Sequence, residues 1–310
     1  MRLENVMSKE NISQSLHSAE YFVESRDFWW NPDFLELMAK RWRLDEVATV
    51  LDVGCGVGHW GRALGPYLKN LEQLTGVDRE SEWVNQAAKN ATSALAGRAK
   101  YLVGDAMSLP FGDNSFDMVT CQTVLIHLKS PRDAVQEFMR VLKPGGLLAV
   151  VEPNNLANLM VRSSVDEGAS VERFMSNARF RALCERGKAL LGEGDNSIGD
   201  LIPGFFTEAG LDSVRVYLSD KASPLLPPYS SDEQKAVVEE FADRSEREEW
   251  AYGRAKTERY FKAAGGSDVE FEKLWEAAGT DFKATYAACK ENRYHTGGGC
   301  MSYLVSGRKK

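Results

Sequence analysis

No run of apolar residues in this 310-residue chain approaches the roughly 18 needed to span a bilayer, so no membrane partner is expected. Its first 27 residues carry Glu4, Lys9, Glu10 and Glu20 and lack an apolar core, which argues against a secretory leader. The five cysteines (Cys55, Cys121, Cys184, Cys289, Cys300) include no C-x-x-C pair and none adjoins a histidine. A zinc site or other metal centre and a disulfide framework are therefore not expected, and a reduced, cytoplasmic protein is. A basic stripe is also missing. With 45 acidic against 38 basic residues the formal net charge is −7, which speaks against a nucleic-acid surface. Neither an internal repeat nor a low-complexity tract interrupts the chain. What is there, 43% hydrophobic and 27% charged residues, suits a globular chain long enough for one large core with an appended layer.

Periodicity divides the sequence into three parts, at 1–44, 45–155 and 156–310. Residues 13–42 read as helical, with an aromatic knot at Phe28, Trp29 and Trp30 and a helix start at Asn31-Pro32. From 48 to 153, buried-strand runs (48–53, 73–78, 100–105, 116–123, 147–152) alternate with amphipathic helical patterns (60–69, 82–95, 132–142). Such alternation predicts an α/β fold with a mostly parallel sheet covered on both faces. Right-handed crossovers then gather the strand C-termini at one edge, where ligands bind. Beyond Pro153 the pattern predicts a long helical stretch at 156–191, a further helix at 198–209 and strands at 214–218 and 300–305. Between those strands an insert of about 220–296 is helical, charged and aromatic, far too long for a hairpin loop and best read as an ordered cap.

Val50-Leu51-Asp52-Val53-Gly54-Cys55-Gly56-Val57-Gly58 is the most informative stretch. An aliphatic run ends in a carboxylate and opens into alternating glycines, whose missing Cβ lets the chain turn tightly and lie against a ligand. An acid beside such a turn suits a ligand with a cationic amino-acid end and hydroxyls better than one rich in phosphate. The loop is ambiguous by itself. Gly56-Val57-Gly58-His59-Trp60-Gly61 satisfies the dinucleotide pattern G-x-G-x-x-G, with Asp78 at the spacing of a ribose-binding acid, so a NAD-dependent oxidoreductase is an alternative.

Three later features bear on that choice: Gly104-Asp105-Ala106 after the third strand, Asp113-Asn114-Ser115-Phe116-Asp117 leading into the fourth, and Arg140-Val141-Leu142-Lys143-Pro144-Gly145-Gly146 before the fifth. Together with the glycine loop, these resemble class I S-adenosylmethionine (SAM)-dependent methyltransferases, most closely the ubiquinone/menaquinone-biosynthesis type, over roughly residues 45–155. The resemblance implies a Rossmann-like seven-stranded sheet with an antiparallel last strand, an N-terminal helical lid and a helical cap, and conversion of SAM to S-adenosylhomocysteine. It also implies roles for individual residues. Asp52 would hold the α-amino end of the methionine moiety, and Gly54, Gly56 and Gly58 would admit the amino-acid part and sugar. Asp78, followed by Arg79, would take the ribose hydroxyls, Asp105 the adenine amine and Ala106 N–H a ring nitrogen. Gln122 would face the carboxylate and sulfonium. Both aspartates have plainer readings, Asp78 as a strand-end turn residue and Asp105 as a cap for Met107 or Ser108 amides.

For the acceptor, His127 lies just after the fourth strand, where its imidazole suits proton transfer near neutrality or caps the next helix. Glu152 closes the fifth strand and is a second candidate, able to bind an amine, orient a nucleophile or hold a loop. Trp29 and Trp30 are candidate pocket walls or ordinary packing. His295, beside Gly297-Gly298-Gly299, is a mobile site element or a connecting loop. The fourth strand lacks the Asn/Asp-Pro-Pro-Tyr/Phe signature of nucleobase methylation, and Pro227-Pro228-Tyr229 falls in the insert instead. A small molecule methylated on O, N or C is the acceptor class that remains. A non-catalytic SAM-binding sensor or partner subunit is a rival reading, and a homodimer is admitted without being indicated.

Overall fold

The computed structural model describes residues 26, 28–91 and 95–310. Seven strands form one sheet: β1 (Thr49–Val53), β2 (Gln73–Asp78), β3 (Ala99–Val103), β4 (Phe116–Gln122), β5 (Leu142–Pro153), β6 (Asp212–Leu218) and β7 (Ser302–Arg308). Their order is β3-β2-β1-β4-β5-β7-β6. Neighbours from β3 to β5 run parallel, whereas β7 is antiparallel to both β5 and β6, so the sheet is mixed. The chain winds outward from β1 to β3, then restarts at β4 and winds the other way. That reversal leaves a crevice beyond the carboxyl ends of β1 and β4, where no crossover covers the strands.

Alternation along the strands builds two cores. Leu51, Val53, Val119, Cys121, Leu148 and Val150 face one side and pack with Phe138 of α4 (Pro131–Val141) and Phe206 of α6 (Ile202–Glu208). Val50, Met118, Ala149 and Val151 face the other, beneath α1 (Pro32–Trp42) and α2 (His59–Leu64). Each fully buried aliphatic or aromatic side chain contributes roughly 1.5–3 kcal/mol, which makes this alternation the main determinant of register. A third cluster lies outside the sheet. Phe180 of α5 (Val171–Leu190) clusters with Trp250, with Tyr260 and Phe261 of α8 (Arg254–Ala263), and with Phe271 and Trp275 of α9 (Asp268–Lys290). The remaining helices are α3 (Ser81–Lys89) and α7 (Asp232–Glu246).

The structure corrects several expected boundaries. The stretch 156–191 is not one helix. Two 3-10 turns, Ala157–Met160 and Ser164–Asp166, precede α5, because Ser163 and Asp166 cap each other's backbone and Ser170 caps the new helix through Arg173 N. The pattern at 60–69 stops at Leu64, where Gly65-Pro66 tightens the chain into a 3-10 turn. The helix expected to run to 95 ends at Lys89, before Asn90. Strand β5 starts at Leu142 rather than 147, since Gly145 N–H donates to Lys309 O and Lys309 N–H to Gly146 O, extending the pairing with β7. The first helix does begin at Asn31-Pro32; most of the pattern at 13–31 lies outside the described residues.

Candidate active site

A cavity opens at the crevice between β1 and β4, and backbone geometry shapes its floor. Strand β1 ends at Val53, and Gly54 turns in the left-handed region at φ 63°. A Cβ at Gly54 would sit 2.4 Å from a Val124 methyl, so only glycine lets this loop pass beneath the chain leaving β4. Cys55 N–H then donates to Val77 O (2.9 Å), and Gly56 N–H to Asp78 Oδ2 (2.8 Å), tying the loop to the end of β2. Gly54, Cys55, Gly56, Asp78, Arg79 and Glu80 line this part of the cavity.

Gly104, Asp105 and Ala106 close a second side, and Gln122, Thr123, Val124, His127 and Leu128 a third. Asp105 Oδ1 accepts Met107 N–H (2.8 Å), as a turn residue does, yet the residue stays exposed at the cavity. Thr123, a β-branched residue at φ 55°, is strained by roughly 1–3 kcal/mol, and its N–H is held by Val151 O (2.8 Å). The N-terminal segment reaches the rim through Arg26, whose guanidinium lies 4.8 Å from the Trp29 ring; Trp29 meets His59 edge-on. Trp30 is set back from the cavity, packed on Phe34 and on Trp60. Trp60 itself lines the cavity while donating to Thr120 Oγ1 (2.8 Å).

Two carboxylates lie behind the walls. Asp52 is buried beneath the glycine loop, its Oδ2 accepting Gly61 N–H (3.1 Å). Gly58 is the N-cap of α2 and offers no side chain, so Asp52 supplies the capping carboxylate from the preceding strand. Its Oδ1 is buried with no hydrogen-bond partner among the described residues. Burial, reinforced by the Asp78 charge, pushes its carboxyl up to about 7. Burial raises Asp78 as well, against the two backbone amides that favour its charge.

Glu152 is the second. It is fully buried, and Oε1 accepts Val124 N–H (3.0 Å) and Leu125 N–H (2.8 Å). It thus holds the 3-10 turn Leu125–His127 that presents His127, and burial pushes its carboxyl up to about 7. Of the three roles the sequence left open for Glu152, these contacts match the holding of a loop: the chain leaving β4 covers the end of β5 and puts the carboxylate behind that turn.

A clamp on the same turn had no sequence signal. Buried Lys188 of α5 donates to Ile126 O (3.3 Å) and to Asn196 Oδ1. Asn196 Nδ2 donates to Tyr252 Oη (2.6 Å), and Tyr252 Oη to Glu185 Oε1 (3.2 Å). A lysine is rarely this deep without partners, and burial lowers its ammonium to about 8. Residues 185–252 thereby reach the turn that carries His127, through contacts between segments far apart in sequence.

His295 is not brought to the cavity. It is exposed, its N–H on Ser164 Oγ (3.0 Å) and its ring 4.0 Å from the Glu167 carboxylate. Gly58 likewise does not line the cavity; it caps α2 from behind. Pro227-Pro228-Tyr229 serves the insert, where Tyr229 is buried and donates to Tyr294 O (2.8 Å). Of the arginines in the helical region, Arg173 pairs with Asp281 (2.7 Å) and Arg179 with Glu270 (2.8 Å). Among the described residues no helix is long and apolar enough to cross a membrane.

The donor set can be tested against the two cofactors the motifs admit. A dinucleotide pyrophosphate sits on the N-terminus of the helix after the glycine loop. Here a buried carboxylate, Asp52, already holds Gly61 N–H there. Asp78, Glu80 and Asp105 line the cavity against Arg26 and Arg79, and Arg79 pairs with Glu80 (3.2 Å). A cationic ligand with hydroxyls fits this acidic cradle, and a diphosphate does not.

Part of the chain is similar in sequence to known proteins. Residues 51–150 match the methyltransferase domain family. Over 135 residues the chain is 36% identical to the protein named "Uncharacterized methyltransferase YcgJ" from Bacillus subtilis, covering 44% of this chain and 52% of that one. A demethylmenaquinone methyltransferase of Staphylococcus aureus is 41% identical over 102 residues, 33% of this chain and 42% of its own length. The chain thus spans about half the length of these relatives. A solved structure of YcgJ aligns with 90% of this chain and 99% of its own, at 19% identity and a TM-score of 0.48.

Proposed function

We propose that this protein is a SAM-dependent methyltransferase acting on a small-molecule O, N or C nucleophile. The carrying observation is the Asp52–Gly61 bond at the start of α2, which puts a carboxylate where a dinucleotide needs its phosphates. Residues 45–155 form the cofactor-binding core in this reading, and 156–310, with the insert at about 220–296, the wall of the acceptor cavity; most of the lid expected at 1–44 lies outside the described residues. SAM supplies a methyl already activated for in-line displacement. Asp78, at the carboxyl end of β2, accepts the ribose hydroxyls, because each of its oxygens takes only one backbone amide and keeps a lone pair for the ligand. Gly54 and Gly56 let the amino-acid portion approach bare backbone, Gln122 orients its carboxylate end, and Asp105 with Ala106 N–H recognises adenine. Asp52 acts through the loop, and its uncompensated Oδ1 favours a nearby ammonium group.

Alignment is the main lever, since holding acceptor and methyl at near-attack geometry accounts for several kcal/mol of barrier. His127 faces the cavity and removes the acceptor's proton in this reading. Glu152 and Lys188 are positioning residues that fix its turn.

Two results follow. Calorimetric titration should show SAM and S-adenosylhomocysteine binding one site, with NAD giving no heat; NAD binding without SAM binding overturns the proposal. Asp78→Ala should weaken SAM by roughly 1–3 kcal/mol through lost hydrogen bonds, and an unchanged dissociation constant removes the ribose role. Once an acceptor is found, His127→Ala should cut turnover by roughly 100-fold or more with SAM affinity unaltered. Retained turnover across the pH range assigns the proton to another group.

A further inference from the structure

A second cavity, of about 240 Å³, lies at the sheet edge remote from the methyl-donor crevice. It is bounded by the C-terminal end of α1 and by strands β7 and β6. Alternation along the strands explains its make-up. Register sets Arg215 of β6 opposite Ser306 of β7, and Arg308, two residues on, shares the Ser306 face. A bulge between Asp212 and Arg215, with Ser213 at φ 53°, lets β6 bend there. Arg41 comes from the last turn of α1, its guanidinium stacked 4.6 Å from the Tyr217 ring.

Three arginines therefore converge on one cavity in a chain whose net charge is −7. None forms an ion pair with a carboxylate among the described residues, including Asp212, the register partner of Arg308. Their hydrogen bonds go to neutral acceptors. Arg308 donates to Gly145 O (2.9 Å) and Trp42 O (3.3 Å), Arg215 to Val214 O (3.1 Å) and Arg41 to Met38 Sδ (3.8 Å). With five N–H donors each, the guanidinium groups retain several unused. Trp42, 2% exposed, backs the wall beside them.

From this geometry we infer that the cavity between α1, β7 and β6 binds the phosphoryl group of a small phosphorylated molecule. Guanidinium forks match phosphoryl oxygens in pairs, and three of them offset a doubly charged group. Tyr217 and Trp42 flank the arginines on one side of the cavity. The site shares no lining residue with the proposed SAM cavity and does not depend on that assignment.

Inorganic pyrophosphate is the probe, titrated calorimetrically into the full chain at constant ionic strength. One site is expected, and the double variant Arg41→Ala/Arg215→Ala should weaken it by at least about tenfold. Both residues are exposed, so the unfolding midpoint of the variant should match that of the parent. No heat at pyrophosphate concentrations up to about 10 mM, or the same affinity in the double variant, overturns the site. Binding displaced by SAM reassigns the anion to the other cavity and overturns it too. Capture by phosphatidic acid vesicles without binding of pyrophosphate overturns the small-molecule assignment.

Discussion

Raising the pH from about 4.5 to about 7.5 should cost the ligand-free protein several kcal/mol of folding stability. Burial lifts Asp52 from 3.8 to about 7 and Glu152 from 4.5 to about 7, with neither carboxylate facing a cation. A group whose folded pKa exceeds its unfolded value stabilises fully below the unfolded value. That stability is lost as the pH rises through the folded value, because the native state must then bury a charge. At about 1.4 kcal/mol per pKa unit, each carboxyl contributes up to about 3–4 kcal/mol across this window. Asp117 and Glu137 have the opposite sign: their carboxyls are lowered, so their support is lost only as the pH falls below their usual range. Urea unfolding at several pH values would show the slope. The double variant Asp52→Asn/Glu152→Gln should flatten it, and an undiminished slope would place the linked protons elsewhere.

Gly194→Ala should destabilise the protein by about 3 kcal/mol or more and weaken ligand binding at the crevice. Gly194 is buried at φ 90°, where an L side chain is strained. Its Cβ would also fall 2.1 Å from Ile126 O and 2.7 Å from His127 Cα. These are backbone atoms held from two sides, Ile126 O by Lys188 and the preceding amides by Glu152. Relief therefore requires moving the turn that lines the cavity. Gly204→Ala is the comparison: inside α6, with no heavy atom within 4 Å of the added Cβ, it should be neutral or stabilising by about 0.5–1 kcal/mol. Equal unfolding midpoints for the two variants would show that loop 192–196 does not press on the turn.

The legible parts of the fold are those with local causes. Strands β1 and β2 are short runs ending at glycine or aspartate, and with β4 they stand within a residue of where the pattern puts them. The helix start at Asn31-Pro32 was equally plain. Where hydrophobic spacing continued through a capping signal it misled. The stretch 156–191 reads as periodic throughout, yet Ser163, Asp166 and Ser170 interrupt it by binding backbone amides. The start of β5 was missed for another reason: its Pro144-Gly145-Gly146 reads as a turn, and pairing of Leu142 with Phe116 and of the glycines with Lys309 extends the strand through it.

The cavity divides in the same way. Gly54, Gly56, Asp78, Asp105, Ala106, Gln122 and His127 all line it, because each follows the carboxyl end of a strand and the sheet's parallel order collects those ends. Thr123, Val124 and Leu128 line it too and carry no chemical signature of their own. The strand-end position of Glu152 left its role open between the acceptor and a loop, and only the covering turn decides for the loop.

By itself the sequence determined the alternation that builds the sheet, the glycine loop and the acids at the ends of β2 and β3. All of these depend on neighbours within a few residues. The tertiary structure alone decided which carboxylates line the cavity and which are buried as caps. It also decided that Lys188 and Gly194 brace a turn some 60 residues earlier, and that three arginines meet at one edge. Those outcomes rest on burial and long-range register, which arise only when distant segments exclude water from between them.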